Sequence, residues 1–307
     1  MEPLQASAFF LFGLVFGSFL NVCIHRIPRG ISVVTPHSAC PQCQHAIKPY
    51  DNIPVLSWLM LRGRCRNCGA GITPRYAVVE LLTGCLFLAC YARFDLTVFT
   101  LKYCVFSFLI IGLIFTDAEW KLLPDAFTLP GLAVGLGFSL VAPMNDLVTQ
   151  VTPAFITIHR PASLWRWFSF ADALFGAAVG ASFFYGIAML YLHARGREGM
   201  GMGDVKLMAM VGAFLGVRLT VVTIFAASLV GSLFGVATIA AVWVKRMRRR
   251  MRRNRESAEV ARRRAWKSAR NVYRYYEMPF GVFLGVMAIL ALFFGGDLMR
   301  WYWGPFL

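Results

Sequence analysis

Two aspartates, Asp117 and Asp204, lie where long apolar stretches of this sequence give way to polar ones. Asp117 ends the stretch "LIIGLIFTDAEW", and Asp204 begins another in "EGMGMGDVKLMAM". A carboxylate at the C-terminal end of a helix opposes the helix dipole, so helix capping does not explain Asp117. Two facing carboxylates that share one proton can activate a water molecule against a peptide carbonyl and protonate the leaving amine. The pair therefore predicts the chemistry of an aspartic protease.

Three alternating glycines, Gly199, Gly201 and Gly203, precede Asp204 in the sequence. Because glycine has no Cβ, a substrate backbone can approach the chain closely at these positions. The three glycines therefore predict a substrate loop beside the second carboxylate.

Three further polar residues at the apolar boundaries are predicted to support the site, and each has a structural alternative. Asp125 follows Pro124 and can cap the helix that begins there. Glu80 can pair with the nearby Arg75, and Lys206 can extend its ammonium group to the lipid headgroups.

Four of the eight cysteines form two Cys-x-x-Cys pairs, "CPQC" at Cys40 and Cys43 and "CRNC" at Cys65 and Cys68. Two such pairs can converge on one tetrahedral metal ion, and four thiolates leave no open coordination position. The pattern predicts a structural zinc site, which would supply the folding free energy of a polar segment too short to form its own core. Two disulfides are the alternative, and a cytoplasmic location disfavours them.

Composition places these residues in a membrane protein. Hydrophobic residues make up 58% of the 307 and charged residues only 15%, against about 25% charged in soluble domains. The sequence predicts an all-α bundle of about eight transmembrane helices with a small cytoplasmic tetracysteine insertion. The run 205–244 is about twice the length of one span and is divided at Arg218. The eight apolar runs are 6–24, 77–93, 97–116, 125–143, 171–192, 205–217, 219–244 and 279–300.

The distribution of positive charge predicts the orientation. The net charge is +16, and segment 245–276 alone carries fourteen Lys or Arg residues against two Glu. One basic loop of a membrane protein does not indicate nucleic-acid binding; it predicts an orientation signal, with anionic lipid binding as an alternative. Arg26 and Arg29 follow the first apolar run, so the N-terminus is predicted to be periplasmic and loop 25–76 cytoplasmic. Alternation across eight spans brings both aspartates and the basic segment to that same cytoplasmic face.

Five regions follow from this topology. They are a first transmembrane helix (1–24), a cytoplasmic zinc-binding domain (25–76), a transmembrane catalytic bundle (77–244), a basic cytoplasmic loop (245–276) and a last transmembrane helix (277–307).

Seven collinear motifs resemble those of the bacterial type IV prepilin peptidases, which are intramembrane aspartic proteases of the GxGD type. The resemblance implies that Asp117 and Asp204 are catalytic, and that the substrates are type IV prepilins or type II secretion pseudopilins at the inner membrane. It also implies N-methylation of the new N-terminus from S-adenosylmethionine. The motifs are "FGSFLNVCIHRIP" (16–28), "CPQC" (40–43), "NIPVLSWLMLRGRCRNC" (52–68), "RYAVVELLTG" (75–84), "TDAEWKLLPD" (116–125), "EGMGMGDVKLMAMVGAFLG" (198–216) and "PFGVFLG" (279–285).

The chain departs from that family pattern twice. Segment 245–276 is an insertion, and Val282 stands where proline is usual. Two alternative functions compete with the peptidase. A proton- or cation-coupled transporter predicts acids near the bilayer midplane, whereas the two aspartates lie at span ends. A non-catalytic zinc-stapled scaffold gives no reason for the glycines before Asp204.

Overall fold

The chain folds into helices, as the composition predicts. The computed structural model describes residues 2–35, 38–144, 162–196, 201–254, 257–274 and 278–303. Within these ranges no strand forms, and two isolated β-bridges, Ala39–Ala46 and Arg64–Gly71, close the turns of the tetracysteine segment. The α-helices are α1 (Pro3–Arg26), α2 (Leu56–Met60), α3 (Arg75–Phe94), α4 (Val98–Trp120), α5 (Asp125–Val141), α6 (Ala162–Arg195), α7 (Met202–Asn254), α8 (Ala258–Arg274) and α9 (Phe280–Trp303).

Six of the described helices, α1, α3, α4, α6, α7 and α9, are long and apolar enough to cross a membrane, and α5 is a shorter apolar helix. The chain is thus a multi-pass membrane protein. Helix α7 contains one non-helical residue, Gly216, with φ 79° and ψ 178°. This left-handed φ is one that glycine adopts at no steric cost.

The chain reverses its direction at Gly216. A methyl group placed on Gly180 of α6 would touch both the Met208 carbonyl and the Thr220 side chain. These two residues are twelve positions apart, which corresponds to about 18 Å along a straight helix. The arms 202–215 and 217–254 of α7 therefore run antiparallel, and Arg218 lies beside the turn. With α5, this reversal gives the eight apolar segments that the sequence predicts.

Close backbone contacts hold the bundle together. A Cβ on Gly17 of α1 would lie 2.6 Å from the Cα of Glu80 in α3, so no side chain fits between these helices. Such close approach increases dispersion contacts, which drive helix association in lipid. A buried cluster that includes Leu20, Ile110 and Phe214 joins α1, α4 and α7. This packing fixes the ends of α4 and α7, where the two aspartates lie.

Candidate active site and metal centre

The carboxylate of Asp117 is held by the first turn of α9. Asp117 is buried near the C-terminal end of α4, and its Oδ2 accepts a hydrogen bond of 3.0 Å from the main-chain N–H of Val282. The first N–H groups of a helix lack intrahelical partners and favour a negative charge. Helix α9 therefore supplies what a carboxylate at the end of α4 needs. No residue pattern predicts this contact directly, although "PFGVFLG" marks the segment.

Asp204 lies in the first turn of α7 and faces the same site. It is partly buried, and its carboxyl group is close enough to Asp117 to interact with it electrostatically. Leu123 lies between the segments that carry the two aspartates. A Cβ on Gly203 would lie 2.9 Å from Leu123 Cβ, and one on Gly281 would lie 2.9 Å from Asp117 Oδ2 and 3.1 Å from the Leu123 side chain. The ends of α4, α7 and α9 thus converge on one site.

The predicted substrate-loop glycines have different surroundings. Gly201 is exposed, and a Cβ there would have only the Gly203 amide nitrogen within 4 Å, at 3.9 Å. Gly203 is packed against Leu123, so its lack of a side chain serves close helix packing. Gly199 lies outside the described residues. The open surface at Gly201 is therefore where a substrate backbone can approach Asp204.

Lys206 and Asp125 join the first turns of α7 and α5. The Lys206 Nζ lies 2.7 Å from Asp125 Oδ1 and 2.8 Å from Oδ2. Asp125 occupies the first turn of α5, and the N-cap of this helix is Pro124, with no side-chain capping bond. The capping alternative for Asp125 is therefore not what the structure shows. This ion pair fixes the start of α7, two residues after Asp204, relative to α5.

We expect Lys206→Gln to lower kcat/KM for leader cleavage by about 2–5-fold, because the side chains are 34% and 57% exposed and such pairs contribute at most about 1 kcal/mol. The double variant Lys206→Asp/Asp125→Lys should recover much of the loss. Arg263→Gln, which breaks the exposed Arg263–Glu259 pair on α8, is the matched control. An unchanged rate in Lys206→Gln would mean that the pair does not position Asp204.

Glu80 does not pair with Arg75. Its Oε2 accepts a 2.7 Å hydrogen bond from the main-chain N–H of Val55, in the tetracysteine segment. Arg75 instead forms a 2.6 Å ion pair with Glu119, two residues beyond Asp117. Glu80 therefore connects the tetracysteine segment to α3, and Arg75 connects α3 to the end of α4.

The four cysteines Cys40, Cys43, Cys65 and Cys68 converge, with all four sulfur atoms within 4.8 Å of one another. In each pair the carbonyl of the first cysteine accepts an N–H from the residue after the second, Gln44 or Gly69, which forms a tight turn. Hydrogen bonds from the His45 main chain and the Asn67 side chain lower the pKa of Cys43 to about 6. Thiolates are the metal-binding form of cysteine. The cluster can thus hold a metal ion with four sulfur ligands.

We expect Cys40→Ser to abolish metal binding, from about one ion per chain to none, because a four-thiolate site needs all its ligands. Loss of the metal should also unfold the tetracysteine segment and make it sensitive to protease. Elemental analysis and limited proteolysis of the purified protein measure the two effects. Cys85→Ser, at an exposed cysteine of α3, is the control. Full metal content in Cys40→Ser would contradict the four-ligand site.

Two protein-family models match the sequence in consecutive regions. The model of the bacterial peptidase A24 N-terminal domain matches residues 11–94, and that of the type IV leader peptidase family matches residues 103–236. The first region contains the tetracysteine segment, and the second contains both aspartates. No solved structure matches the chain.

Curated relatives carry the name prepilin leader peptidase/N-methyltransferase. One from Aeromonas hydrophila is 33% identical over 99% of this chain and 96% of the relative, and one from Pseudomonas aeruginosa is 32% identical over 95% and 91%. One from Myxococcus xanthus is 39% identical over 78% of this chain, which spans 64% of that relative's length.

Proposed function

Because this chain belongs to the type IV leader peptidase family, we propose that Asp117 and Asp204 are the catalytic pair with which it cleaves its substrates. The protein is a bifunctional enzyme, a prepilin peptidase and N-methyltransferase. The observation that supports the catalytic assignment is the convergence of the two carboxylates around Leu123. Type IV prepilins and type II secretion pseudopilins are the proposed substrates. Membership in this family favours the peptidase over the transporter and the scaffold.

In the proposed mechanism the two carboxylates share one proton. The ionised member takes a proton from a water molecule, whose oxygen attacks the scissile carbonyl, and the protonated member gives its proton to the leaving amine. The Val282 N–H donates a hydrogen bond to Oδ2 of Asp117. Oδ1 is therefore the oxygen that we assign to proton transfer. The exposed chain at Gly201 leaves room for the substrate backbone beside Asp204.

S-adenosylmethionine supplies the methyl group for the second reaction when it is bound. Its amino-acid end needs a cation for the carboxylate and an acceptor for the ammonium group. Two buried atoms at the adjoining ends of α1 and α3, Arg75 Nε and Asn21 Oδ1, have no hydrogen-bond partner. The Asn21 amide also donates to the carbonyl of Tyr76, next to Arg75. We propose that Arg75 Nε and Asn21 Oδ1 hold this end of the molecule, while Arg75 Nη1 remains paired with Glu119.

Mass spectrometry of a prepilin incubated with the purified enzyme in lipid vesicles tests the proposed function. We expect loss of the leader mass, and a further gain of one methyl group only when S-adenosylmethionine is added. If a folded and metal-loaded preparation of the enzyme cleaves neither a prepilin nor pseudopilins, the proposal is contradicted.

The topology proposed is that of an inner-membrane protein with a periplasmic N-terminus. The positive residues Arg26 and Arg29 and the basic segment 245–276 support a cytoplasmic location for the active site and the zinc-binding domain. We assign the regions as 1–24, 25–76, 77–244, 245–276 and 277–307. Zinc is the metal proposed for the four thiolates, in a structural role.

The basic segment folds back on itself beside the end of α7. Trp243 and Trp266 pack at 6.0 Å, and the Arg246 guanidinium donates a 3.0 Å hydrogen bond to the Ser268 carbonyl. Helix α8 thus lies beside α7 where the apolar part of α7 ends, so exposed cations such as Lys267 and Arg270 stand near the end of the span. We propose that they contact anionic lipid headgroups in addition to setting the orientation.

A further inference from the structure

Helix α2 turns its polar groups inward and its apolar groups outward. The Ser57 hydroxyl donates to the Tyr50 carbonyl at 3.0 Å, and the Trp58 indole N–H donates to the Ile72 carbonyl at 3.1 Å. On the opposite side Leu56 and Leu59 are each 57% exposed and Met60 is 79% exposed. A soluble domain buries such residues, and an amphipathic segment at a bilayer surface exposes them to lipid.

The hydrogen bond between Val55 and Glu80 places the start of α2 beside the transmembrane part of α3. Glu80 lies five residues beyond Arg75, the first residue of α3, and is buried. Five residues of an α-helix correspond to about 7.5 Å. Because the Val55 N–H reaches the Glu80 carboxylate at 2.7 Å, the tetracysteine segment extends alongside α3 to this depth instead of remaining above its end.

Backbone strain at Val55 indicates that this position is imposed by its surroundings. Val55 has φ 61°, which is a rare conformation for a β-branched residue. Strain of this kind persists only where other contacts maintain it, and here the Glu80 hydrogen bond does so. Val55 immediately precedes α2, so the same bond fixes the depth of Leu56, Leu59 and Met60.

The residues that follow α2 also suit a membrane surface. Arg62 and Arg64 are exposed directly after the apolar residues of α2. Interfacial segments commonly combine apolar side chains at the boundary of the acyl chains with Arg or Lys at the headgroups. Arg66, by contrast, is bound within the domain by Asp51.

We propose that α2, together with the exposed side chain of Ile53, is inserted into the phospholipid bilayer at the membrane boundary marked by Arg75. The insertion anchors the tetracysteine segment to the membrane at a second point besides its covalent attachment to α1 and α3. Its role is to hold this segment beside the end of α4, to which α3 is joined by the Arg75–Glu119 ion pair. The acyl chains of the bilayer are the partner of the exposed Leu56, Leu59 and Met60.

A photoreactive benzophenone amino acid at Met60, incorporated into the full-length protein in phospholipid vesicles, tests the insertion. We expect irradiation to give a protein–phospholipid adduct, seen as a mass increase of one lipid. The same amino acid at Gln42, exposed between two cysteines of the first pair, should give at least about tenfold less adduct. Glu80→Ala should lower the Met60 adduct several-fold, because it releases Val55, whereas Glu80→Gln should retain it, because the amide oxygen still accepts the bond.

Three outcomes would overturn the proposal. One is equal adduct at Met60 and Gln42, and another is absence of lipid adduct at Met60 with normal metal content. The third is an adduct that shifts from lipid to prepilin when substrate is added, which would make α2 a substrate-docking surface instead. Metal content and vesicle-reconstituted cleavage are measured on the same samples, so that failure of the insertion and failure of the peptidase function are distinguished.

Discussion

Replacement of Asp117 or Asp204 by asparagine is expected to reduce leader cleavage by about 10²–10⁴-fold, because this is the contribution of general acid–base catalysis by positioned side chains. An asparagine has nearly the same shape and can still accept the Val282 N–H through its oxygen. It cannot take a proton from water or donate one to the leaving amine. The change should therefore remove the chemistry and retain the fold.

The methyltransferase activity provides the internal control for this experiment. A synthetic peptide that begins at the mature N-terminus needs no cleavage, so both variants should methylate it at the wild-type rate. Asp297→Asn, which alters an exposed aspartate near the far end of α9, should leave both activities unchanged. Cleavage that survives in either active-site variant would rule out the two-aspartate mechanism.

The sequence was sufficient to predict that Asp117 and Asp204 lie at one site and that α7 reverses its direction. Asp117 and Asp204 are singled out because each stands at the end of an apolar run. A charged residue near a membrane span costs free energy, so its presence indicates a function. The division of 205–244 rests on its length, since one span needs about 20 residues, and on Arg218, which interrupts the run. The structure places the turn at Gly216, next to the predicted Arg218.

The sequence could not predict the contacts that hold the aspartates in place. The Asp117 carboxylate and its donor Val282 are 165 positions apart, and the donor is a main-chain group that any residue except proline carries. The identity of residue 282 therefore shows only that the bond is possible, because valine stands where the family usually has proline, which has no N–H. The Lys206–Asp125 pair could not be predicted either. A lysine near a membrane boundary is expected to contact the lipid headgroups, so the sequence does not require a partner within the protein.

The Glu80 interaction shows the same limit in the metal segment. Proximity in sequence favoured Arg75 as the partner of Glu80, but the two residues bind different groups, Val55 and Glu119. The apolar residues of α2 would suggest a small core in a soluble segment. Their exposure, together with the depth of Val55 beside α3, supports the proposal that they face lipid.

The second large effect is expected at Gly203. A methyl group at this position would lie 2.9 Å from Leu123 Cβ, a backbone-attached atom that cannot rotate away. Gly203→Ala should therefore displace the first turn of α7 and move the Asp204 carboxylate away from its position opposite Asp117. A displacement of about 1 Å can cost about 10²-fold in rate. We expect a loss of this size in kcat/KM for cleavage, with wild-type methylation of the mature peptide.

Leu123→Gly distinguishes this steric mechanism from a general loss of helix stability. Leu123→Gly removes the Cβ atom that the new methyl group of Gly203→Ala would contact. The double variant should therefore cleave faster than Gly203→Ala, which is a positive coupling in a double-mutant cycle. Gly281→Ala should also impair cleavage, but its methyl group would lie 2.9 Å from Asp117 Oδ2 itself. This methyl group would also lie 3.1 Å from the Leu123 side chain, so Leu123→Gly should rescue Gly281→Ala less than it rescues Gly203→Ala. Equal rescue of both glycine variants, or rescue of neither, would mean that Leu123 does not separate the two aspartate segments in the way the structure indicates.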